Sequence, residues 1–486
     1  MSETLNPTNF MIEPNSLRVL ITQKQLGTEN PYMENTITIP SGLEGFINTK
    51  TLKAPTVTDR SVFLIDGTLQ ELEEDRACPK CGARMHIHDT YDISLSHIPF
   101  GRTLSAVRFE KHRYICPECH STFMQGVPFQ AGGHRITVPL HSFARDLLAL
   151  GMTNKDVSEL TGLGKNTVKE IDKERLLEKY TTDGKHLKKP ERQAKYLGVD
   201  EFLLHKGHEY ATIIIDLEMG HVLWLAYGKK KKALYDFIEF VGEEWMDGVE
   251  AVACDMNSDY QEVFEDRCPH IQVVFDYFHI RKNFNDKVVA EVRKDEQRRL
   301  YSEGRKEEAK MLKNTKYILT SNRQTLRKRD DKAKEDRKAN IEGKIFDGGR
   351  QKETRGGNEE LYDALLKENK LLFLSDMVKE KLSLAYTLDD ECKMAKEITE
   401  IIDICNDSGN KHFIWFARLL ENHFEGIIAH GTYKISSGKV EGTNNLIKTV
   451  RRKAYGYRDN DYFFLKIMDE SRREYVRNPK SHKNYD

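Results

Sequence analysis

The chain contains 486 residues, of which 38% are hydrophobic, so it can bury the cores of several domains. It has no run of about eighteen apolar residues, and its amino terminus lacks the basic-then-apolar plan of a signal peptide, so we exclude a membrane-spanning helix and expect a cytoplasmic protein. The 76 basic and 77 acidic residues nearly cancel, and this balance alone argues weakly against a nucleic-acid partner.

The first motif with a definite chemistry is a C-x-x-C pair that occurs twice. Cys78 and Cys81 stand in "CPKC", and Cys116 and Cys119 stand in "CPEC" after 34 intervening residues. Paired thiolates on tight turns form a closed tetrahedral site for structural zinc. The alternatives are two disulfides, which a reducing compartment disfavours, and a thioredoxin-like redox pair, which is not expected twice. We therefore predict that the four thiolates bind Zn²⁺.

Residues 152–180, "MTNKDVSELTGLGKNTVKEIDKERLLEKY", predict two helices joined by a glycine turn. Thr153 suits the N-cap of the first helix, "TGLG" forms the turn, and the second helix runs from Asn166 to Lys179. The inward apolar positions are Val157, Leu160, Val168 and Ile171. An ordinary helical hairpin has similar periodicity, but directly after a zinc motif we favour a helix-turn-helix whose second helix enters the major groove. The side chains expected to face DNA are Lys165, Asn166, Thr167 and Lys169.

From about residue 196 the pattern changes to short strands. "KYLGVDEFLLHKG", "YATIIIDLEMG" and "HVLWLAYG" are separated by glycine turns and predict an antiparallel meander. A helix over residues 233–245 follows, then the strand "VEAVACDM", a short helix over residues 260–267 and the strand "IQVVFDYFH". Three strands, helix, strand, helix, strand is the order of a ribonuclease-H-like mixed sheet, so we predict an α/β fold of that type.

The long segment after this sheet is helical and heavily charged. Residues 281–430 show no strict heptad repeat, so we expect an inserted helical region rather than a coiled coil. Within it, residues 321–358 carry so many charges that a solvated arm is a better interpretation than a nucleic-acid contact.

Three carboxylates fall where a sheet would present them together. Asp200 lies in the first strand of the meander, Asp255 ends the fourth strand, and Glu441 opens the final helix. A buried carboxylate is costly without a cation or hydrogen-bond partners, and three of them form a hard oxygen site suited to Mg²⁺ or Mn²⁺. Two such ions about 4 Å apart serve phosphodiester chemistry. Taken singly, each acid is better explained as a cap or a surface residue.

Two further acids compete for the second position. Asp216 lies in the meander and is better explained as a turn or edge residue. Asp276 ends the fifth strand in "FDYFH" and, with His279 three residues on, is a candidate for a supporting role beside the triad.

The carboxyl-terminal segment is basic around its single early acid. From Lys439 to Asp486 there are 12 Lys and Arg against 7 Asp and Glu, so the neutral total hides a basic patch. A bound cation would explain why Glu441 is tolerated there, and the glycine after it would let DNA approach closely. The residues expected to contact DNA are Asn444, Asn445, Lys448, Arg451, Arg452 and Lys453.

Taken in order, these motifs resemble the DDE transposases of bacterial insertion sequences, specifically the ISL-three (ISL3) family. The segments that carry the resemblance are "YLGVDEF", "VEAVACDMNSDY", "VVFDYFHIRKNF" and "KVEGTNNLIKTVRRKAYGYRD", over roughly residues 75–470. The resemblance implies a ribonuclease-H-like catalytic domain with a helical insertion, whose acids bind two divalent metals. Matched residue by residue, the triad falls on Asp200, Asp255 and Glu441, with Asp276 and His279 as secondary candidates.

The sequence thus predicts a transposase that binds the terminal inverted repeats of its mobile element, cuts the DNA ends and joins them to target DNA. We expect double-stranded DNA as its partner, a homodimer or larger assembly in the active complex, no membrane partner, and a nucleoid-associated place in the bacterial cytoplasm. Two alternatives remain open: a non-enzymatic zinc and helix-turn-helix regulator, and a metal-dependent nuclease without joining activity.

The expected domain plan follows from these motifs, with no role assigned to the first segment. Its parts are the amino-terminal segment 1–75, the zinc-binding domain 76–125, the helix-turn-helix domain 136–182, the catalytic domain 194–285 with 430–475, and the helical insertion 286–429.

Overall fold

The computed structural model of the chain describes residues 17–21, 35–39, 47–49, 62–69, 76–341 and 354–473, apart from residues 102, 206, 208, 229, 230, 257 and 437. Much of segment 1–75, and residues 342–353 of the charged segment, lie outside the described residues. The described residues form two compact units. The first comprises those up to Lys188 with Arg451–Lys466, and the second comprises Lys189–Val450 with those from Ile467. None of the described helices is long and apolar enough to cross a membrane.

The first unit contains a sheet built around a long hairpin. The described strands of the first unit are β1 (Leu17–Ile21), β2 (Asn35–Ile39), β3 (Ile47–Thr49), β4 (Val62–Leu69), β5 (His86–Phe100), β6 (Thr103–Ile115) and β7 (Thr122–Met124). The antiparallel hairpin of β5 and β6 pairs in parallel with β4, which pairs with β3, while β7 pairs with the end of β6. The two remaining strands, β1 and β2, pair with each other.

The hairpin of β5 and β6 was not predicted from the sequence. Its inward face buries Leu95, Val107 and Phe109, which pack with Phe129 and with Ile65 of β4. Since β4 supplies part of this core, the sheet extends into the segment that precedes the first C-x-x-C motif.

The predicted pair of helices is confirmed, preceded by a third. The helices are α1 (Val138–Ala149), α2 (Asn154–Thr161) and α3 (Lys165–Tyr180). Thr153 caps α2 through a reciprocal contact with Asp156, and Gly162 ends α2 at a φ of 73°. Val157 is fully buried, as expected, but the prediction for Leu160 is wrong because that residue is 51% exposed. The buried face of α2 is set instead by Val157 and Thr161, one turn apart.

The second unit contains the predicted mixed sheet. Its strands are β8 (Tyr196–His205), β9 (Glu209–Asp216), β10 (Val222–Tyr227), β11 (Ala251–Cys254) and β12 (Gln272–Phe275). They are ordered β10-β9-β8-β11-β12, with β8 to β10 antiparallel and with β11 parallel to both β8 and β12. This is the ribonuclease-H-like topology, and it confirms the predicted fold class.

Two boundaries in this sheet differ from the prediction. The helix expected over residues 233–245 is split into α4 (Lys231–Val241) and α5 (Glu243–Met246), because Gly242 adopts a φ of 92° between them. The short helix α6 (Ser258–Arg267) follows β11. The strand "IQVVFDYFH" is also shorter than expected, since β12 ends at Phe275 and α7 (Tyr277–Asn283) begins two residues later.

Helices account for the regular structure described after β12. A π-helical stretch, Phe284–Val289, follows α7 directly. The later helices are α8 (Ala290–Ser302), α9 (Lys306–Met311), α10 (Lys316–Leu319), α11 (Arg323–Ile341), α12 (Glu359–Glu368), α13 (Lys370–Ala385), α14 (Glu391–Asp407), α15 (Lys411–Asn422), α16 (Phe424–Ile428), α17 (Gly438–Lys453) and α18 (Asn460–Ser471), with a 3-10 turn at Ala429–Gly431. This confirms the predicted helical region.

The helical region shares its hydrophobic core with the sheet. One buried cluster joins Leu197 of β8 and Phe275 of β12 to Phe284, Leu382 and Phe413 of the helices. A Cβ atom on Gly426 of α16 would lie 2.5 Å from the Phe275 ring, so glycine permits this close packing. The predicted insertion is therefore packed against the mixed sheet within the second unit.

Candidate active site

Helix α17 packs closely on strand β8. A Cβ atom on Gly198 would lie 2.7 Å from Cγ2 of Val440 and 2.8 Å from Cδ2 of Leu217. Only glycine leaves room for this approach of helix to strand. The first turn of α17, which contains Glu441, is thereby held against the strand that carries Asp200.

A hydrogen bond joins the same two elements at the candidate site. Nδ2 of Asn444 donates to Oδ2 of Asp200 at 2.7 Å. Glu441 precedes Asn444 by three residues, and helical residues three apart lie on neighbouring positions of one face. Glu441 itself is exposed. Glu441 and Asn444 therefore share one face of α17, and Asn444 is the residue of this face that contacts Asp200.

The second acid lies level with the first. Ala251 pairs with Tyr196 and Ala253 with Gly198, and two further steps of this parallel register place Asp255 beside Asp200. Oδ1 of Asp255 lies 3.2 Å from Nδ1 of His279. It also accepts the backbone N–H of Met256 at 2.7 Å. The sheet register thus brings together two of the predicted acids, with an imidazole beside the second.

The electrostatics of Asp200 favour a nearby cation. Burial raises the pKa of its carboxyl group, and the charge of Asp255 raises it further. Hydrogen bonds from the Glu201 backbone and from Asn444, together with His279, act in the opposite direction without cancelling the increase. The carboxylate is therefore left incompletely compensated by the protein.

The donor set fits a divalent metal. Asp200, Asp255 and Glu441 offer carboxylate oxygens, which Mg²⁺ and Mn²⁺ prefer. Oδ1 of Asn444 is buried and has no hydrogen-bond partner among the described residues. Within the described parts of the chain, the four cysteines form the only group of three or more potential metal ligands that all lie within 4.8 Å of one another. The three carboxylates are therefore more widely spaced than the thiols.

The two competing acids differ in position: Asp216 lies at a turn, whereas Asp276 follows Phe275, which pairs with the Cys254 that precedes Asp255. Oδ1 of Asp216 accepts the backbone N–H groups of Glu218 and Met219 at 2.7 and 3.1 Å, so it shapes the turn after β9, as expected. Asp276 is buried at the start of α7. It lies close enough to Tyr386 and His430 for its negative charge to interact with both side chains. His279, one of the two secondary candidates, contacts Asp255.

The four cysteines of the first unit form a metal-binding geometry. Sγ of Cys78 lies 3.6 Å from that of Cys119, and Sγ of Cys81 lies 3.4 Å from that of Cys116. Four thiolates about 2.3 Å from one zinc ion are about 3.8 Å apart in a tetrahedron. All eight cysteines are free thiols. The cluster therefore fits a structural zinc ion rather than disulfides.

Each knuckle is shaped by the same backbone turn. Gly82 donates to the carbonyl of Cys78 at 2.8 Å, and His120 donates to that of Cys116 at 3.0 Å. Both donors adopt positive φ, 75° for Gly82 and 54° for His120. The two C-x-x-C motifs thus present their sulfur atoms in matching fashion.

The predicted recognition helix is partly engaged within its own unit. Lys165 and Asn166 are exposed and Thr167 is half-buried. Nζ of Lys169 lies 3.0 Å from Oδ2 of Asp459, which also binds Lys173 at 3.0 Å. The sequence offered no signal for this contact, because the partners are 290 residues apart.

The buried side of α3 is held by a second polar cluster. Asp172 is fully buried and accepts from Arg175 at 2.8 Å, from the Tyr462 hydroxyl at 2.6 Å and from Lys466 at 3.0 Å. A buried carboxylate with three such partners is well compensated. The segment Arg451–Lys466 therefore packs on the predicted recognition helix.

The predicted DNA-binding residues of α17 differ in their exposure to solvent. The guanidinium of Arg451 lies 5.2 Å from the centre of the Phe463 ring, and burial lowers its pKa. The exposed members of the predicted DNA-binding set on this helix are Asn445, Lys448, Arg452 and Lys453.

A ribonuclease-H-like sheet with one acid on β8 and a second directly after β11, in a chain that also carries a four-cysteine domain, is the arrangement of a class of transposases. A family model described as transposase, of the DDE type and ISL3 group, matches residues 197–467, more than half of the chain. A second, described as the zinc-finger of transposase IS204/IS1001/IS1096/IS1165, matches residues 74–119. The chain belongs to the ISL3 family of DDE transposases.

Curated relatives agree with this assignment. The chain is 27% identical over 392 residues to the transposase for insertion sequence element IS1001 of Bordetella parapertussis, covering 80% of this chain and 87% of the relative. It is 22% identical over 421 residues to the transposase for insertion sequence element IS1557 of Mycobacterium tuberculosis, covering 79% of this chain and 83% of the relative.

Proposed function

We propose that this protein binds the terminal inverted repeats of its mobile element, cuts the DNA at the element's ends and joins those ends to target DNA. The observation that carries the proposal is the parallel pairing of β8 with β11, which brings Asp255 close enough for its charge to act on Asp200, together with the hydrogen bond from Asn444 of α17 to Asp200. Acids in a ribonuclease-H-like sheet, in a chain of a DDE transposase family, support phosphodiester chemistry.

Asp200, Asp255 and Glu441 would hold the divalent metals, Mg²⁺ or Mn²⁺. When bound, such ions supply activation of the attacking oxygen and stabilisation of the leaving oxygen in an in-line displacement. Asn444 orients the Asp200 carboxylate through its amide hydrogen bond. His279, whose Nδ1 lies 3.2 Å from Oδ1 of Asp255, would help to orient that carboxylate.

The remaining predicted residues would bind DNA. Asn445 and Lys448 are exposed on the turns of α17 that follow Glu441, where they can contact backbone phosphates, as can Arg452 and Lys453. The exposed Lys165 and Asn166 at the start of α3 would reach base edges, and Thr167 and Lys169 would contact the adjacent backbone. The zinc ion would fold the domain that precedes them.

The active complex must bring two element ends together, so we propose a homodimer or a larger assembly acting on double-stranded DNA at the bacterial nucleoid. A nuclease that cleaves without joining uses the same acids, and a regulator would need none of them. These alternatives differ in the products that they form.

The experiment is an incubation of purified full-length protein with a labelled duplex carrying the element's end and a supercoiled target plasmid, in Mg²⁺ or EDTA. We expect metal-dependent cleavage at the element boundary followed by covalent joining to the plasmid. Cleavage without joined product would support the nuclease, and specific binding without either product would support the regulator.

A further inference from the structure

A surface cavity lies beside α7 in the catalytic unit. It has a volume of about 350 Å³, and its lining includes Phe278, Arg281, Lys282 and Lys316. This volume falls within the roughly 300–1,000 Å³ of ligand pockets. The lining contains three cationic side chains and one carboxylate, that of Asp286. Oδ1 of Asp286 lies 2.9 Å from Nζ of Lys316. The cavity therefore favours an anion.

The cavity is lined by one face of a helix. Phe278, Arg281, Lys282 and Asn285 stand at positions i, i+3, i+4 and i+7, which share a helical face. The π-helical stretch begins at Phe284, between Lys282 and Asn285 in the sequence. Such stretches occur frequently at functional sites. Oδ1 of Asn285 is buried and has no hydrogen-bond partner among the described residues.

Phe278 is an unusual side chain for this helix. It is 52% exposed, whereas Phe284 on the following turn is fully buried in the core. Its ring meets that of His279 edge-on, with ring centres 5.5 Å apart. An exposed aromatic ring surrounded by cations is the combination that binds single-stranded nucleic acid, through base stacking and phosphate contacts.

The cavity adjoins the candidate active site along the chain. His279 follows Phe278 directly and contacts Asp255. A DNA strand whose phosphodiester lies at Asp255 would therefore present a neighbouring nucleotide to Phe278. Neither the family match nor the triad assigns a role to this face of α7.

We infer that Phe278, Arg281, Lys282, Asn285 and Lys316 form a subsite for one unpaired nucleotide next to the bond that is cut. The base stacks on Phe278, its polar edge bonds to Asn285, and its phosphate is held by the cations. The location of this nucleotide rests on the proposed function, but its binding requires no cleavage.

The test uses full-length protein without added Mg²⁺ or Mn²⁺, so that cleavage is prevented and the zinc ion is retained. It compares a duplex that has a three-nucleotide single-stranded extension with a blunt duplex of the same sequence. We expect Phe278→Ala to weaken binding of the extended duplex about tenfold, the typical loss of one stacked base, and to leave blunt-duplex binding unchanged. Phe278→Trp should restore the preference. Phe373→Ala, at a residue 56% exposed on α13 and outside the cavity, is the matched control and should match wild type.

A cross-link gives a second reading. With 5-iodouracil as the first unpaired base, irradiation should attach the strand to Phe278, as mapped by mass spectrometry. Equal preference for the extended duplex in wild type and Phe278→Ala, with the cross-link elsewhere, would overturn the subsite. Asp255→Asn separates the two proposals, because it should abolish cleavage in Mg²⁺ and keep the cross-link. Cleavage by Asp255→Asn at the wild-type rate would contradict the proposed active site, whereas a cross-link that stays at Phe278 would still support the subsite.

Discussion

Asn444 donates its amide hydrogen to the Asp200 carboxylate at 2.7 Å, joining the final basic helix to the first strand of the catalytic sheet. The same amide has a buried oxygen without a hydrogen-bond partner among the described residues. The sequence predicts that Asn444 contacts DNA, and in the structure its amide group bonds to Asp200, an acid of the proposed triad. We therefore treat it as a positioning residue for Asp200.

Asn444→Ala should lower the cleavage rate about 10–100-fold and raise the metal concentration needed for half-maximal cleavage, because residues that orient metal ligands have effects of this size. Affinity for the end duplex without added Mg²⁺ or Mn²⁺ should be unchanged. Asn445→Ala is the matched comparison, since Asn445 is exposed on the next position of α17. It should weaken DNA binding without changing the metal requirement. The same pattern in both variants would contradict the distinction.

Gly198→Ala should destabilise the catalytic unit by about 1–3 kcal/mol, because the added methyl would overlap Val440, Leu217 and Ile215. The measurement is the free energy of unfolding in urea. Gly442→Ala is the control, because a Cβ atom there has nothing within 4 Å. Alanine favours a helix more than glycine does, so this variant should raise the free energy of unfolding by up to about 1 kcal/mol. Equal midpoints for wild type and Gly198→Ala would show that α17 does not pack so closely on β8.

Cys116→Ser should abolish zinc binding and DNA binding together, because the zinc domain folds around its ion. Metal analysis of wild-type protein should give about one zinc ion per chain. Cys392→Ser removes an exposed thiol outside the cluster and should retain both zinc and DNA binding. Retention of full zinc content in Cys116→Ser would show that the cluster is not the zinc site.

Asp459→Asn should destabilise the first unit by about 1 kcal/mol at pH 7, because Lys169 and Lys173 are more than a third exposed and solvent screens their ion pairs with Asp459. Burial opposes ionisation of Asp459, but the Tyr462 backbone N–H and the ammonium groups of Lys173 and Lys169 outweigh it and lower the pKa to about 2, from an ordinary value of 3.8. Since the folded-state pKa is the lower one, the contribution is present above about pH 4 and is lost as the pH falls toward 2.

The measurement is the stability of wild type and Asp459→Asn between pH 7 and pH 2. The difference between them should vanish at the acid end. Glu159→Gln is the control, because the pair of Glu159 with Lys155 is exposed on α2 and worth only a few tenths of a kcal/mol. A stability difference for Asp459→Asn that stays constant with pH would contradict the assigned ion pairs.

The catalytic sheet could be predicted because its information is local. Short β-rich runs end at glycine turns, and the order of strands and helices allows few topologies. The register that sets Asp255 beside Asp200 follows once β8 and β11 are adjacent parallel strands. The cysteine cluster was equally accessible, because the spacing of the thiols itself encodes the metal geometry.

Other features depend on contacts between distant segments. The ion pairs of Asp459 with Lys169 and Lys173 join residues nearly 300 positions apart, and neither sequence neighbourhood marks them. The hairpin of β5 and β6 was missed because its charged outer face masks the inward alternation of residues such as Leu95 and Val107. The early start of α7 was missed because "VVFDYFH" is mostly apolar and aromatic on both sides of Asp276, so tertiary packing decides where the strand ends.

The most direct test of the catalytic assignment is the rate of strand cleavage by Glu441→Gln at the element boundary in Mg²⁺, on a denaturing gel, alongside Glu239→Gln. Glu239 is an exposed residue of α4 in the same unit, so its variant controls for the loss of one surface charge. Gln keeps the shape of Glu441 and removes the charge that binds metal. We predict that Glu441→Gln binds the end duplex and does not cut it, while Glu239→Gln cuts like wild type. Cutting by Glu441→Gln at the wild-type rate would show that Glu441 is not the third acid of the site.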